Sequence, residues 1–355
     1  MNLLFRYIFV RQAKLLMLIM GLGVGLYLLT ELVERVDIFM EADSGFSLVI
    51  QYFAARIPGI IAQILPAVFL LSTVVTLCLM GHSRELTALH AGGIPFTSIA
   101  GVLVVCGIFW GAVQFGCSQF LGVRGAALAD HIWQEQVRNR NLNHRILENV
   151  WFMENGWVVS LDKLRADGEG TGMTAFHTGK SGFEIDILVR AKKAKGENDR
   201  WIAIDGESIS PETYERRSFR EMDIPVVQSP ELFFSTASNS IQQQTLWQLG
   251  ETIVKLRNAG SNVEGLRTIW HGKISYSFSL VVMALLGAAL VLWNSNIYIA
   301  VLASLAGTFI LYSLTLFGES LGQRGILPPL AAAWAPDVLL AAISLGRLYL
   351  SSVRR

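Results

Sequence analysis

The sequence predicts an α-helical polytopic membrane protein with six transmembrane helices and an inserted, outward-facing all-β domain of jellyroll-like type. Three observations carry this. Of 355 residues, 52% are hydrophobic and only 16% charged, against about 25% charged in an ordinary soluble domain, and the mean hydropathy is +0.44. The charge deficit is confined to the two flanks, where six apolar runs reach or approach the roughly 20 residues that cross a bilayer as a helix. Between the flanks, short apolar segments alternate with glycine-rich and polar turns, which is strand patterning.

The apolar runs cover residues 15–33, 57–80, 99–121, 274–293, 297–317 and 330–350. The first is longer than the roughly 7–15 residues of a signal-peptide core, so it is expected to remain as a span. An even number of crossings puts both ends on one side. Those ends carry Arg6, Arg11 and Lys14, then Arg347, Arg354 and Arg355, and clustered cations mark the cytoplasmic side. The stretch after the first run (Glu34, Arg35, Asp37, Glu41, Asp43, Arg56) is net acidic, as suits the outer side. Residues 81–98 are then a cytoplasmic loop. The expected domains are residues 1–124, 125–272 and 273–355.

Within the middle domain, residues 126–148 have helical spacing and are expected to extend the third span as a stalk. Residues 149–240 read as β. Val150-Trp151-Phe152-Met153 and Trp157-Val158-Val159-Ser160-Leu161 flank a turn at Glu154-Asn155-Gly156. Further strand candidates are residues 184–189, 201–204 and 223–227. Such spacing suggests a sandwich or jelly roll. Residues 245–256 return to helical spacing and lead into the fourth span.

Several functions are disfavoured. A net charge of +1 gives no footprint for nucleic acid. Cys78, Cys106 and Cys117 all fall in apolar spans, so no disulfide framework is expected. No metal-ligand cluster or nucleophile motif occurs, and no metal or cofactor is expected. Gly179-Lys180-Ser181 looks like the end of a phosphate loop, but Thr174 stands where the first glycine is required. If ATP is used, another chain binds it.

Four groups of residues are candidates for function. In the cytoplasmic loop, Arg84 and Glu85 lie among Leu86 and Leu89 before a glycine break at Gly92-Gly93. A helix here, over about residues 82–91, places Glu85 and Leu89 on one face. It is either a solvated loop at the headgroups or a coupling helix docked on an ATPase, with Glu85 accepting from a partner arginine. At the outer ends of the spans, Arg35, Arg56 and Arg124 mix with Glu31 and Glu34. Glu31 and Arg35, at i and i+4, can pair, and the arginines either snorkel to the interface or bind an anionic headgroup. Gly21 and Gly25 permit close helix approach, within the chain or at a seam with a partner. Pro336-Asp337 interrupts the last run. It is either a helix start or kink, or an ion or substrate ligand, since intramembrane acids are functional candidates.

Leu65-Pro66, followed by Ser83-Arg84-Glu85-Leu86-Thr87-Ala88-Leu89-His90-Ala91-Gly92-Gly93-Ile94, is similar to a family pattern of Ser-x-Glu-Leu, a few residues, then Ala-x-Gly. With three spans, an outward β domain and three more spans, the chain resembles the lipopolysaccharide-export permeases of the LptF/LptG (YjgP/YjgQ) family over essentially its whole length. Gly325-Ile326-Leu327-Pro328-Pro329 and Trp334-Ala335-Pro336 look more like the LptG branch. The resemblance implies an inner-membrane subunit with cytoplasmic termini and a periplasmic jellyroll. It implies pairing with a sister permease (LptF or LptG) on a dimer of the ATPase LptB, which binds the ATP. Lipopolysaccharide would be extracted from the membrane and passed to LptC and the LptA bridge. Glu85 falls on the family's coupling-helix glutamate. The first and fifth spans would form lateral gates, which gives Gly21, Gly25 and Gly307 a reason to be small.

The family's headgroup contacts, a lysine near the outer end of the first span and arginines after the third, fall here on Glu31, Asp130 and Trp133. Arg35, Arg56 and Arg124 are local substitutes at best. Two other classes remain open on the residues alone. One is an ion-coupled carrier, which needs mid-membrane charges and finds one in Asp337. The other is a membrane-anchored scaffold or sensor, which should tolerate Glu85→Ala.

Overall fold

The computed structural model describes residues 2–353 apart from 42–44, 138–145, 155, 166, 179–184, 198–199, 212–213, 227–243, 259–261 and 295. The Gly179-Lys180-Ser181 motif lies outside the described residues. The first half contains α1 (Asn2–Glu41), α2 (Phe46–His82), the short α3 (Glu85–Ala91) and α4 (Phe96–Gly116). The α4 helix runs through a π-helical turn (Cys117–Gly122) into α5 (Val123–His131) and a second π-helical turn (Ile132–Val137). Six strands follow: β1 (Ile146–Glu154), β2 (Trp157–Arg165), β3 (Glu169–Thr178), β4 (Ile185–Glu197), β5 (Arg200–Ile209) and β6 (Arg216–Ile224). The chain returns through α6 (Leu246–Asn258), α7 (Glu264–Trp293), α8 (Ile297–Gln323) and α9 (Pro329–Val353).

Among the described residues, six helices are long and apolar enough to cross a membrane. Several outrun the apolar stretches that mark them. With 40 residues, α1 is about 60 Å long at 1.5 Å per residue, so its charged N-terminal turns continue the helix rather than flank it. The chain divides into two compact units, residues 1–130 with 264–355, and residues 131–263.

In the first unit α7 is the central helix, packed against α9, α4, α2 and α8. Glycines let α4 approach it. A Cβ on Gly107 would lie 2.9 Å from the Leu280 carbonyl oxygen, and one on Gly111 2.8 Å from that of Ser277. Small residues take this role in membranes because lipid provides no hydrophobic drive between helices. By contrast, only 17% of the apolar windows of α1 and α8 is buried, against 67% for α2, so these two spans carry open apolar faces.

The second unit holds one antiparallel sheet with the strands in sequence order, β1 to β6. Phe152 on β1 and Trp201 on β5 pack at a tilt with ring centroids 5.2 Å apart. In a flat sheet, four strand spacings would separate those strands by about 19 Å, so the sheet rolls over its apolar face. A row across it (Asn149, Asp162, Gly172, Lys192, Asp205, Arg220) drops out of the ladder while the register on either side is unchanged. Asn149, Gly172 and Asp205 have φ of 54°, 68° and 53°. This crease shifts the alternation by one residue. Leu161 and Leu164 on β2, like Ala191 and Ala194 on β4, therefore all face the buried side. Glycine is required at position 172, where a Cβ would fall 2.1 Å from the Asp162 carboxylate.

Some strand expectations are corrected. β1 begins at Ile146 rather than at residue 149, β3 was unforeseen, and β6 ends at Ile224, where a strand over 223–227 was expected. β3 is glycine-rich and reads as a turn. β6 is mostly exposed and charged, a usual dress for an edge strand.

Candidate functional site

The segment between α2 and α4 is built by local backbone chemistry. Ser83 continues the α2 turn through its N–H to the Leu79 carbonyl. Arg84 then takes φ 57°, a left-handed conformation uncommon for a residue with a Cβ, and turns the chain into α3. At the other end Gly93 has φ 79°. The Ile94 N–H reaches the Leu89 carbonyl and the Gly93 N–H that of His90, both at 3.0 Å, which is a Schellman stop. The helix is Glu85–Ala91, shorter than the expected 82–91 because His82 ends α2.

Glu85 is the best-connected side chain at this end. Its carboxylate accepts from Tyr7 Oη at 2.8 Å, from Arg11 Nη1 at 2.9 and 2.8 Å, and from Ser83 Oγ at 2.7 Å. Burial works against its charge, but the bonds from Ser83, Arg11 and Tyr7 outweigh it and hold the carboxyl below its ordinary value. Leu86 and Leu89 turn inward against the apolar core of the spans. Leu89 is therefore not offered to a partner beside Glu85, as the helical spacing had suggested. The exposed side of this segment is Arg84, Thr87, Ala88 and Ala91. Tyr7 and Arg11 were not foreseen as site residues. Their i, i+4 spacing on a polar helix end was the available signal.

At the opposite ends of α1 and α2, Glu31 is 6% exposed and gathers three partners. Tyr52 Oη donates at 3.0 Å, Arg56 Nη2 lies at 3.0 Å and Arg35 Nε at 3.3 Å. Arg35 also stacks over the Tyr52 ring. Arg35 and Arg56 thus fasten α1 to α2, and Glu31 holds them there. Glu34 and Arg124 are exposed.

The glycines separate by role. A Cβ on Gly21 or Gly25 would meet nothing within 4 Å, whereas one on Gly23 would lie 3.1 Å from Ile64 Cδ1. Gly23, not Gly21 or Gly25, packs α1 on α2. Gly307 packs against Leu286 and Leu70, inside the bundle rather than on the open face of α8.

Pro336 does not start a helix: α9 begins at Pro329 and Pro336 lies within it. Pro336 removes the N–H that the Ala332 carbonyl, four residues back, would accept. Ser275 Oγ from α7 lies 2.8 Å from the Ala333 carbonyl oxygen and 2.5 Å from Asp337 Oδ2. Asp337, 3% exposed, is therefore held inside the helix packing. Nor is it the one ionisable group in the spans: Lys273 on α7 and Glu319 on α8 also lie in membrane-length helices and act on each other electrostatically. They were missed because both helices extend past the apolar runs.

The model of the family described as lipopolysaccharide export system permease LptF/LptG matches residues 6–350. No curated protein matches the chain. With the match spanning all six membrane-length helices and the inserted sheet, this chain belongs to the LptF/LptG family of lipopolysaccharide export system permeases.

Proposed function

We propose that this chain, a multi-pass inner-membrane subunit with a role in lipopolysaccharide export, is driven by a separate ATPase that docks on α3. The termini and α3 face the cytoplasm and the sheet faces the periplasm. The observation that carries this reading is the fastening of α3. It is continuous with α2 and α4 through short turns, its leucines pack against the core, and Glu85 is bonded to Tyr7 and Arg11 of α1. A force applied to seven residues is thereby delivered to three spans. Arg84, Thr87, Ala88 and Ala91 are the surface for the ATPase, an LptB dimer, which binds the ATP. A sister permease, LptF or LptG, covers the open faces of α1 and α8. Lipopolysaccharide expelled from between the two permeases enters the apolar face of the rolled sheet and passes to LptC and LptA. Burying lipid tails is worth about 0.8 kcal/mol per methylene, so extraction has to be driven.

Co-expression with LptB and the sister permease, followed by release assays in liposomes, tests this. The expected result is a stable complex whose lipopolysaccharide release requires ATP hydrolysis. Release without ATP would favour an ion-coupled carrier, and no assembly would favour a scaffold. The burial of Asp337 against Ser275 argues against the carrier, because an ion ligand needs access.

A further inference from the structure

We propose that α1 and α2 bend together at one level of the membrane, at Pro66 and the glycine stretch of α1 beside it, and that Gln114, Tyr276 and Tyr312 are the positioning residues that grip this joint. The inference rests on the motor-driven reading above and names where the push from α3 is converted into movement of the spans.

Pro66 lies near the middle of α2. It has no N–H for the carbonyl of Ala62, and its ring crowds the preceding turn. Within a bilayer an unsatisfied carbonyl costs several kcal/mol, so another group must bond it. Three other helices supply those groups. Gln114 Nε2 of α4 donates to the Ala62 carbonyl at 3.3 Å. The next carbonyl, that of Gln63, accepts from Tyr312 Oη of α8 at 3.2 Å and from Tyr276 Oη of α7. Sharp helix kinks are almost always at a proline or where a side chain enters the backbone ladder. Ser277 Oγ of α7 donates to Gln114 Oε1 at 2.5 Å, which aims the Gln114 amide at Ala62.

A straight α1 would splint this break, since it is bonded to α2 on both sides of it. Gln12 Nε2 donates to Thr73 Oγ1 at 2.7 Å on the α3 side, and Glu31 holds Tyr52 and Arg56 on the other. Between these two attachments α1 carries Gly21, Gly23 and Gly25, with Gly23 against Ile64. Each glycine inside a helix weakens it relative to alanine. The weak stretch of α1 therefore lies beside the proline of α2. A push on α3 moves the halves of both spans nearest to it, while α4, α7 and α8 hold the carbonyls at the break.

Two measurements on the assembled complex test this. Pro66→Ala restores the helix rung, so the chain should melt no lower than wild type. ATP hydrolysis should stay within about twofold and lipopolysaccharide release per ATP should fall about tenfold or more, the scale on which misplacement costs activity. The second is a melting cycle of Pro66→Ala with Gln114→Leu. Gln114→Leu should lower the melting temperature strongly beside Pro66 and much less beside Ala, because the Ala62 carbonyl then has its own helix partner. Wild-type release per ATP in Pro66→Ala would overturn the joint, and equal melting losses in both backgrounds would overturn the grip. If the wild-type complex releases no lipopolysaccharide, the functional reading fails on its own, and the melting cycle still decides the grip.

Discussion

Removing Arg11 should loosen α3 from α1 without touching any surface of α3 that a partner would use. Arg11 and Glu85 are 27% and 31% exposed as side chains. A fully exposed ion pair is worth about 0–1 kcal/mol and a hydrogen bond to a charged group about 1.5–3 kcal/mol, so solvent screening brings this half-buried pair to about 1 kcal/mol. That is about a fivefold change in an equilibrium constant. The assay is a double-mutant cycle of Arg11→Ala and Glu85→Ala on the unfolding of the purified chain in micelles, at low and high salt. The coupling should be near that value at low salt and shrink as salt screens the pair. The Glu85 carboxyl lies below its ordinary value of 4.5, so the folded chain binds that proton less readily than the unfolded chain. The contribution is therefore complete above the ordinary value, full at neutral pH, and lost as pH falls through the lowered one. Additive single mutants at neutral pH and low salt would refute the lock.

Two further substitutions follow from the ends and faces of α1. Glu31→Gln leaves Arg35 and Arg56, each 28% exposed, without their shared anion. Breaking a fully buried pair costs 3–5 kcal/mol, and with the arginines partly hydrated the loss should be about 2 kcal/mol, read as a lower melting temperature. Gly23→Leu should destabilise the isolated chain by about 1–3 kcal/mol through overpacking on Ile64. Gly21→Leu and Gly25→Leu should not, since their Cβ positions are open. If those two instead weaken assembly with the sister permease in a pull-down, the open face of α1 is the seam.

The membrane architecture was legible because hydropathy and length suffice when backbone must satisfy itself in lipid. The family pattern around Glu85 was legible because it is contiguous. Partners distant in sequence were not. Tyr7 and Arg11 reach Glu85 across more than 70 residues; their i, i+4 spacing marks a shared helix face but not the acid that face meets. Pro336 was expected as a helix start or kink, and it lies inside α9 as Pro66 lies inside α2. Beside each, a hydroxyl of α7, Tyr276 or Ser275, bonds the carbonyl next to the broken rung, that of Gln63 or Ala333. Gly172 reads as part of a turn because a crease and a turn ask for the same residue. The arginines near Glu31 were expected either to snorkel to the interface or to bind a headgroup. Geometry shows them bonded to an acid that sequence could pair with Arg35 alone.

The most direct test is ATP-dependent lipopolysaccharide release from proteoliposomes holding this chain, its sister permease and LptB, with wild type beside Glu85→Ala. The expected result is release that needs ATP and collapses in the mutant, with assembly and expression intact. Unchanged release in Glu85→Ala would contradict the claim that the motor acts through this carboxylate.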